Sequence, residues 1–404
     1  SGMKDAYVRR RRGEERCDLP PLERLLPRTH GVLLYQEDVL RAAWKLAGLS
    51  LERADQIRRA LQGGEAGTAV EREFRRGALR NGLTEGEASR LWDSIRSFVA
   101  FSYSKAHAAT YGRISYQALH LKAHHPAAFL AAVMANGGGF YDGAAYLEEA
   151  RRLGVKIRLP DINRSAETEV VEEGAIRIGL GRVRDLRADT LRAIEGRRPF
   201  LSLTDFLGRV PEAQRRETEH LVLTGCFDAF DGTRPEKLWR VLLHDRDADA
   251  PPELFGTRHL LPPERTLPAI REYSPQKAVE LEQELLGLTP TAHPLVRFRR
   301  GPQADAIHAE DLERHVGRRV SIVGWVITTR RIRTRAGEPM KFVSVEDETG
   351  VVEVTFPAAA YRRCAPALVG RGPLRIRGRV QDHLGAAILE GQDAEVLRER
   401  VTES

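Results

Sequence analysis

Between Ser94 and Tyr141 the chain contains no Asp or Glu, although 57 acids in 404 residues would place about 7 in a window of that length. Arg96, Lys105, Arg113 and Lys122 stand there instead, with His107, His120, His124 and His125. Within this window Phe101 to Pro126 reads FSYSKAHAATYGRISYQALHLKAHHP. Tyr111, Ile114, Ala118 and Leu121 recur at spacings of three and four, which predicts a helix that buries that stripe. Ser104 is placed to cap its start, and Pro126 ends it after His125. Arg113, Gln117, His120 and His124 share a neighbouring flank. Lys105 and His107 fall in the first turn, where unpaired amides and the helix dipole favour an anion such as a triphosphate or a nucleic-acid backbone. Composition alone fits a solvated basic face on a core helix equally well. His120 and His124 also have the spacing of helical metal ligands, but no Glu follows His120 and no third ligand is near in sequence.

The string SKAHAATYGRISYQALHLKAHHPAAFLAAVM resembles the fingers region of bacterial DNA polymerase III alpha subunits, the C family of replicative polymerases. The run NGGGFYDGAAYLEEARRLGVKIRLPDINRS at 136–165 is most similar to the error-prone, DnaE-type second alpha subunits used in damage-induced synthesis. The resemblance implies a multidomain chain, with mainly α fingers and a helix-hairpin-helix region followed by a C-terminal all-β barrel of the OB type. It makes GVLLYQEDVL (31–40) and the helix ending IRRAL (57–61) parts of the fingers. It sets Arg58, Arg59, Lys105 and His107 against the triphosphate of an incoming dNTP, puts Tyr111 near the base, and leaves Arg113 for DNA. Where the family usually continues with Gly-Lys-Lys, this chain has Gln62-Gly63-Gly64, so two cations that would stabilise phosphate are missing.

Length allows two to four domains. The expected boundaries are 1–165 for the fingers region, 166–244 for a hairpin and helix-hairpin-helix region, 245–314 for a linker with a lead-in helix, and 315–404 for the barrel. The formal charge of +7 favours a polyanionic partner. Cys17, Cys226 and Cys364 are scattered and form no CxxC pair, which argues against a disulfide framework or zinc ribbon and fits a reducing, cytoplasmic setting. No apolar run is long enough to span a membrane. Arg9 to Arg12 form a basic run near the start, readable as a solvated terminus. The opening SGMKDAYVRRR reads like sequence from the middle of a longer chain more than a tag scar before Met3.

Further along, Thr29 to about Ala47 is expected to be an amphipathic helix, and Ser50 to cap a second one carrying Ala54, Ile57 and Leu61 inward. Residues 142–154 predict a short helix, 155–163 an extended segment, and 168–180 a hairpin around Glu173-Gly174. Residues 181–230 resemble the family's duplex-gripping helix-hairpin-helix region, in which glycines let backbone amides approach phosphate. Asp185 and Arg187 stand where glycines are usual, so Arg182, Arg184, Arg187 and Arg192 are expected to act through charge. A helical spacer with exposed arginines is the other reading. Asp245 to Pro275 is rich in Pro and charge and reads as a linker. In it Pro252-Glu253-Leu254-Phe255 resembles the family's sliding-clamp peptide, whose Leu254-Phe255 pair would enter an apolar pocket, although Pro251 replaces the usual leading Gln. A capped helix is expected within 273–295.

Val320 to Thr328, Met340 to Glu346, Val351 to Phe356, Leu374 to Val380 and Ala386 to Leu389 predict five short strands, enough for a small closed barrel. Between 318 and 341 there are seven basic residues and one acid, Glu338, a local net of +6. Arg330, Arg331, Arg333, Arg335 and Lys341, with the aromatic Trp325 and Phe342, make a basic groove with stacking platforms for single-stranded DNA. Strand alternation leaves open whether Trp325 and Phe342 belong instead to the core.

DNA synthesis needs metal ions held by carboxylates, which this family draws from a palm motif upstream of the fingers. No such motif is visible, so neither catalytic residues nor metal ligands are assigned to this chain. Magnesium and dNTP belong to the intact polymerase. Asp245, Asp247 and Asp249 alternate but sit in the expected linker, and Glu346-Asp347-Glu348 reads as a turn between strands. The expected partners are single-stranded and primer-template DNA, dNTP, a sliding clamp and error-prone accessory proteins, with no membrane. The alternative is a naturally truncated, non-catalytic module that binds DNA or the clamp.

Overall fold

The computed structural model describes residues 3–62, 68–99, 104–248, 269–298, 305–334, 336–383 and 385–398. They divide into two compact units, Ser1–Leu119 and His120–Ser404, the division falling inside one helix. The first unit contains α1 (Met3–Arg11), α2 (Pro20–Leu25), α3 (Gln36–Lys45), α4 (Leu51–Gln62), α5 (Thr68–Arg80), α6 (Glu85–Val99) and most of α7 (Lys105–His124). Val39, Ala42, Ala54, Ile57, Phe74, Ala78, Leu91 and Trp92 fill its core, with the rings of Phe74 and Trp92 5.2 Å apart.

The helix expected from Thr29 begins later, at Gln36. The Asp38 carboxylate accepts hydrogen bonds from the amides of Leu34 (3.1 Å) and Tyr35 (3.0 Å), holding the preceding residues outside the helix. Ser50 caps α4 as expected, its hydroxyl accepting from the Arg53 amide at 3.1 Å. Helix α7 also forms where its periodicity predicts, with Ser104 accepting from the His107 amide at 3.3 Å. Its stripe, however, is not buried: Tyr111, Ile114 and Leu121 are exposed and Ala118 only half-buried. Periodicity reports that an apolar face exists, not what covers it.

The second unit begins with the end of α7, followed by α8 (Pro126–Ala135) and α9 (Gly143–Arg152), the latter capped by Asp142. Strands β1 (Ile157–Arg158), β2 (Val170–Glu172) and β3 (Ala175–Arg177) make a small sheet. Strands β2 and β3 are antiparallel across Glu173-Gly174, at φ 52° and 77°, and β1 lies parallel to β3. Helices α10 (Ala188–Arg197), α11 (Leu203–Arg209), α12 (Arg215–Leu223), α13 (Arg234–Ala248) and α14 (Pro275–Leu286) follow, around Leu180, Ile194, Phe206, Leu221 and Phe227. Helix α13 runs to Ala248, so Asp245 and Asp247 are helical where irregular chain was expected. Residues 249–268 lie outside the described residues, Asp249, Leu254 and Phe255 among them.

The last part is a closed barrel. Strands β4 (Ala306–Ile307), β5 (Arg319–Arg333), β6 (Pro339–Glu346), β7 (Val351–Phe356), β8 (Pro373–His383) and β9 (Ala386–Val396) are ordered β4-β5-β6-β7-β9-β8, and β5 also pairs with β8. α15 (Ala358–Cys364) sits between β7 and β8. Ile322, Val343, Val345, Val354, Phe356, Ile376 and Leu389 are the core. The five expected strands are all present, and β5, β8 and β9 run further than hydrophobic alternation shows because their ends are polar. Among the described residues no helix is long and apolar enough to cross a membrane.

Gly77 fixes how α5 packs. A Cβ on it would lie 2.2 Å from the Ala47 carbonyl oxygen, a backbone atom that cannot swing aside. Gly77→Ala should therefore lower stability by about 1–3 kcal/mol, read as an earlier midpoint in urea or thermal melts.

Candidate nucleic-acid interface

In the first unit, carboxylates decide which cations stay available. The Arg58 guanidinium donates to Asp55 Oδ1 from Nε (2.9 Å) and Nη2 (2.8 Å), and to Gln62 Oε1 from Nη1 at 3.2 Å, and only 12% of the side chain is exposed. Arg59 pairs with Asp55 Oδ2 at 2.8 Å but is 73% exposed. Hydrogen bonds from Arg58, with the charges of both arginines, hold the Asp55 carboxyl below the usual range. Asp55 is a missed residue: it pairs with both arginines that the family resemblance sets against triphosphate and offsets one of their two charges.

The start of α7 is occupied too. The Lys105 amide donates to Glu37 Oε2 at 2.9 Å, so a carboxylate of the same unit already sits at the position expected for an external anion. Lys105 Nζ lies 5.8 Å from the centre of the Tyr35 ring. The His107 and Tyr111 rings are 4.5 Å apart. Both are exposed, as is Arg113, whose side chain has no hydrogen bond or ion pair among the described residues. Lys105, His107, Tyr111 and Arg113 thus line one exposed helix.

In the second unit the hairpin between β3 and α10 keeps its turn without the usual glycine. Asp185 takes φ 63°, a left-handed conformation that Asp tolerates better than most residues. Its carboxylate pairs with Arg216 at 2.9 Å and lies 3.7 Å from His220 Nδ1. The Arg187 amide donates to Glu217 Oε1 at 2.8 Å, and the Arg187 guanidinium to Glu217 Oε2 at 3.1 and 2.9 Å. Burial pulls the Glu217 carboxyl upward, but the bonds from Arg187 and from the Gln214 amide outweigh it and hold it low. Glu217 therefore fills the start of α10 as a built-in anion. Arg182 donates to buried Glu169 at 2.6 Å and to the Met134 carbonyl at 3.0 Å, and Arg192 is held by Asp189. Arg184 alone of this expected set has an exposed side chain with no partner among the described residues.

On the barrel, Val343 and Val345 of β6 point into the core. Pleating therefore turns Phe342 and Ser344 outward, where Ser344 Oγ donates to Glu353 at 2.7 Å. Phe342 is half-buried on the outer face and stands directly opposite Arg330 of β5. Arg330, Arg331 and Arg333 are exposed, and Arg333 donates to the Gly337 carbonyl at 3.0 Å. Lys341 instead donates to the Leu368 carbonyl. Trp325 is half-buried and outside the core cluster, its ring 6.2 Å from that of Phe298. Arg335 lies outside the described residues.

A second missed group is Glu346, which the sequence presents only as part of a turn. Its side chain is 4% exposed. Its Oε2 accepts from Arg152 Nη1 of α9 at 3.2 Å, and Arg152 also reaches the Asp347 carbonyl at 3.4 Å. Burial pushes Glu346 up to about 8; Arg152 pulls the other way and the nearby Glu148 carboxylate adds to the rise. The contact ties the outer end of β6 to the helical part of the unit.

Helical fingers-type segments, a helix-hairpin-helix region and an OB barrel define a class of multidomain nucleic-acid-binding proteins. Comparison with known families agrees segment by segment. Residues 1–82 match the bacterial DNA polymerase III alpha subunit finger domain, 154–237 the helix-hairpin-helix motif, and 320–397 the OB-fold nucleic acid binding domain. The chain is a relative of the DNA polymerase III alpha subunits and error-prone DNA polymerases of bacteria along nearly its whole length. It is 32% identical to the DNA polymerase III subunit alpha of Thermus aquaticus, with 98% of this chain and 34% of that protein aligned. It is 31% identical to the error-prone DNA polymerase of Nocardia farcinica (98% and 36%) and 32% identical to that of Pseudomonas syringae pv. syringae (96% and 39%). The chain thus spans a little over a third of the length of these relatives.

Two outcomes follow from the engaged groups. Arg187→Ala leaves buried Glu217 short of its guanidinium and should cost about 1–3 kcal/mol of stability, while the salt dependence of DNA binding stays unchanged. For Glu346, a folded value raised above the ordinary carboxylate value makes stability fall as pH rises from about 4.5 toward 8 and level off beyond. Thermal melts between pH 5 and 9 should show that decline, and Glu346→Gln should flatten it.

Proposed function

We propose that this chain is the nucleotide-positioning and DNA-binding portion of an error-prone, replicative-type polymerase of the cytoplasm. The metal-holding carboxylates of template-directed synthesis belong, in this reading, to a part of the polymerase other than this chain. The observation that carries it is the alignment of 98% of the chain with DNA polymerases, joined to a barrel face where Phe342 stands opposite an exposed Arg330. That face holds template single strand by stacking and charge. Arg184 and the helix-hairpin-helix region steady the duplex. Lys105, His107 and Arg59 approach the triphosphate, and Tyr111 lies near the base. Pro252 to Phe255 is the sliding-clamp peptide, and damage-induced translesion synthesis is the setting.

The alternative, a non-catalytic module on DNA or the clamp, is favoured by the engagement of Arg58 and Arg59 with Asp55 and by Glu37 at the start of α7. Two measurements test the reading. Offered a primed template, magnesium and nucleotides, the chain should leave the primer unextended; extension overturns the assignment of the carboxylates elsewhere. Single-strand affinity should fall steeply with salt, and Arg331→Ala or Arg333→Ala should each flatten the slope by about 1. Indifference to DNA at low ionic strength refutes the reading.

A further inference from the structure

Helix α5 presents Arg72, Arg76 and Arg80 four residues apart on one face, and all three are exposed. Phe74, Gly77 and Ala78 are buried on the other side, with Gly77 against the Ala47 backbone, so packing fixes which way the arginines point. Like charges four apart on a helix repel, and of the acids of α5 only Glu73 acts on the ladder, through a charge interaction with Arg76 that is not an ion pair. Glu71 is held by Arg75 at 2.6 Å and Glu73 by Arg53 of α4 at 2.6 Å. The side chains of Arg76 and Arg80 make no hydrogen bond or ion pair among the described residues, and that of Arg72 only a 3.3 Å bond from Nε to the Thr68 carbonyl. The helix dipole accounts for Arg80 in the last turn, but not for Arg72 nearer the start. A rise of 1.5 Å per residue sets neighbouring members about 6 Å apart along the axis, a spacing comparable with the step between successive phosphates of one strand.

We propose that the α5 arginine ladder is a second, separate DNA-contact surface, recognising the phosphodiester backbone through Arg72, Arg76 and Arg80. It rests on the DNA-binding reading of the chain and adds to the finger segment a contact that the expected nucleotide-binding residues do not include. The ligand chemistry is a run of phosphates without base specificity, so binding is independent of sequence and sensitive to salt.

The test is equilibrium binding of the 404-residue chain to a labelled single-stranded oligonucleotide and, separately, to a primed duplex, across a salt series. Arg76→Ala with Arg80→Ala should reduce the salt slope by about 2 on at least one of the two DNAs and weaken binding several-fold at low salt. The melting midpoint should be unchanged or slightly raised, since both side chains are exposed and mutually repelling. Which DNA responds identifies the strand. Arg331→Ala with Arg333→Ala is measured in parallel. If that barrel variant flattens the slope while the α5 variant matches the parent on both DNAs, the ladder proposal fails and the broader reading stands. If the parent chain binds neither DNA at low salt, both fail.

Discussion

A guanidinium held against a carboxylate contributes little to the field that a polyanion meets, and that constraint sorts the cations of this chain. With 64 Lys and Arg against 57 Asp and Glu, the excess is small and its placement matters more than its size. Asp55 takes Arg58, Glu169 takes Arg182, and Glu217 takes Arg187. Among the described residues, exposed cations without a carboxylate partner include those on the outward side of α7, on α5, at Arg184 and on the arginine-bearing end of β5. A net charge read from composition gives the sign of the partner; the carboxylates give the address.

The same sorting explains how the hairpin at Asp185 differs from an amide-lined phosphate grip. Such a grip needs backbone N–H groups left free and close to the surface. Here the Arg187 amide is bound to Glu217 and the Arg184 amide to the Leu285 carbonyl at 2.8 Å. The turn geometry survives because Asp185 tolerates positive φ, but its side chain adds a negative charge at the tip. In the hairpin one amide is thus bound to Glu217 and another to the Leu285 carbonyl, leaving Arg184 as its exposed cation.

Much of this organisation is legible in the sequence where one local signal decides. Ser50, Ser104 and Ser274 each precede a helix and accept from its first turn, and Glu173-Gly174 makes the hairpin turn that its composition predicts. The five barrel strands follow from alternation. What was not legible depends on contacts distant in sequence. Nothing near Glu346 signals Arg152, nearly two hundred positions earlier, and nothing near Lys105 signals Glu37. The stripe on α7 failed for a related reason: apolar spacing identifies a face without identifying a neighbour. Arg58 and Arg187 carry the charge a phosphate site needs, yet only the structure shows that charge engaged.

Strand β6 brings these themes together within one element. Its inward residues, Val343 and Val345, belong to the barrel core, so everything else it does must use the outward positions. At one end Glu346 is buried against Arg152 and anchors the barrel to α9. In the middle Ser344 bonds Glu353, and beyond it Phe342 lies partly open beside Arg330. Anchoring and recognition thus share one face of one strand, two residues apart at each step. Because a pleated strand is stiff over that length, the anchored end sets the position of Phe342 relative to α9. The barrel is therefore tied to α9 at several points, by Arg152 on Glu346 and on the Asp347 carbonyl and by Arg371 on Asp142 at 3.4 Å.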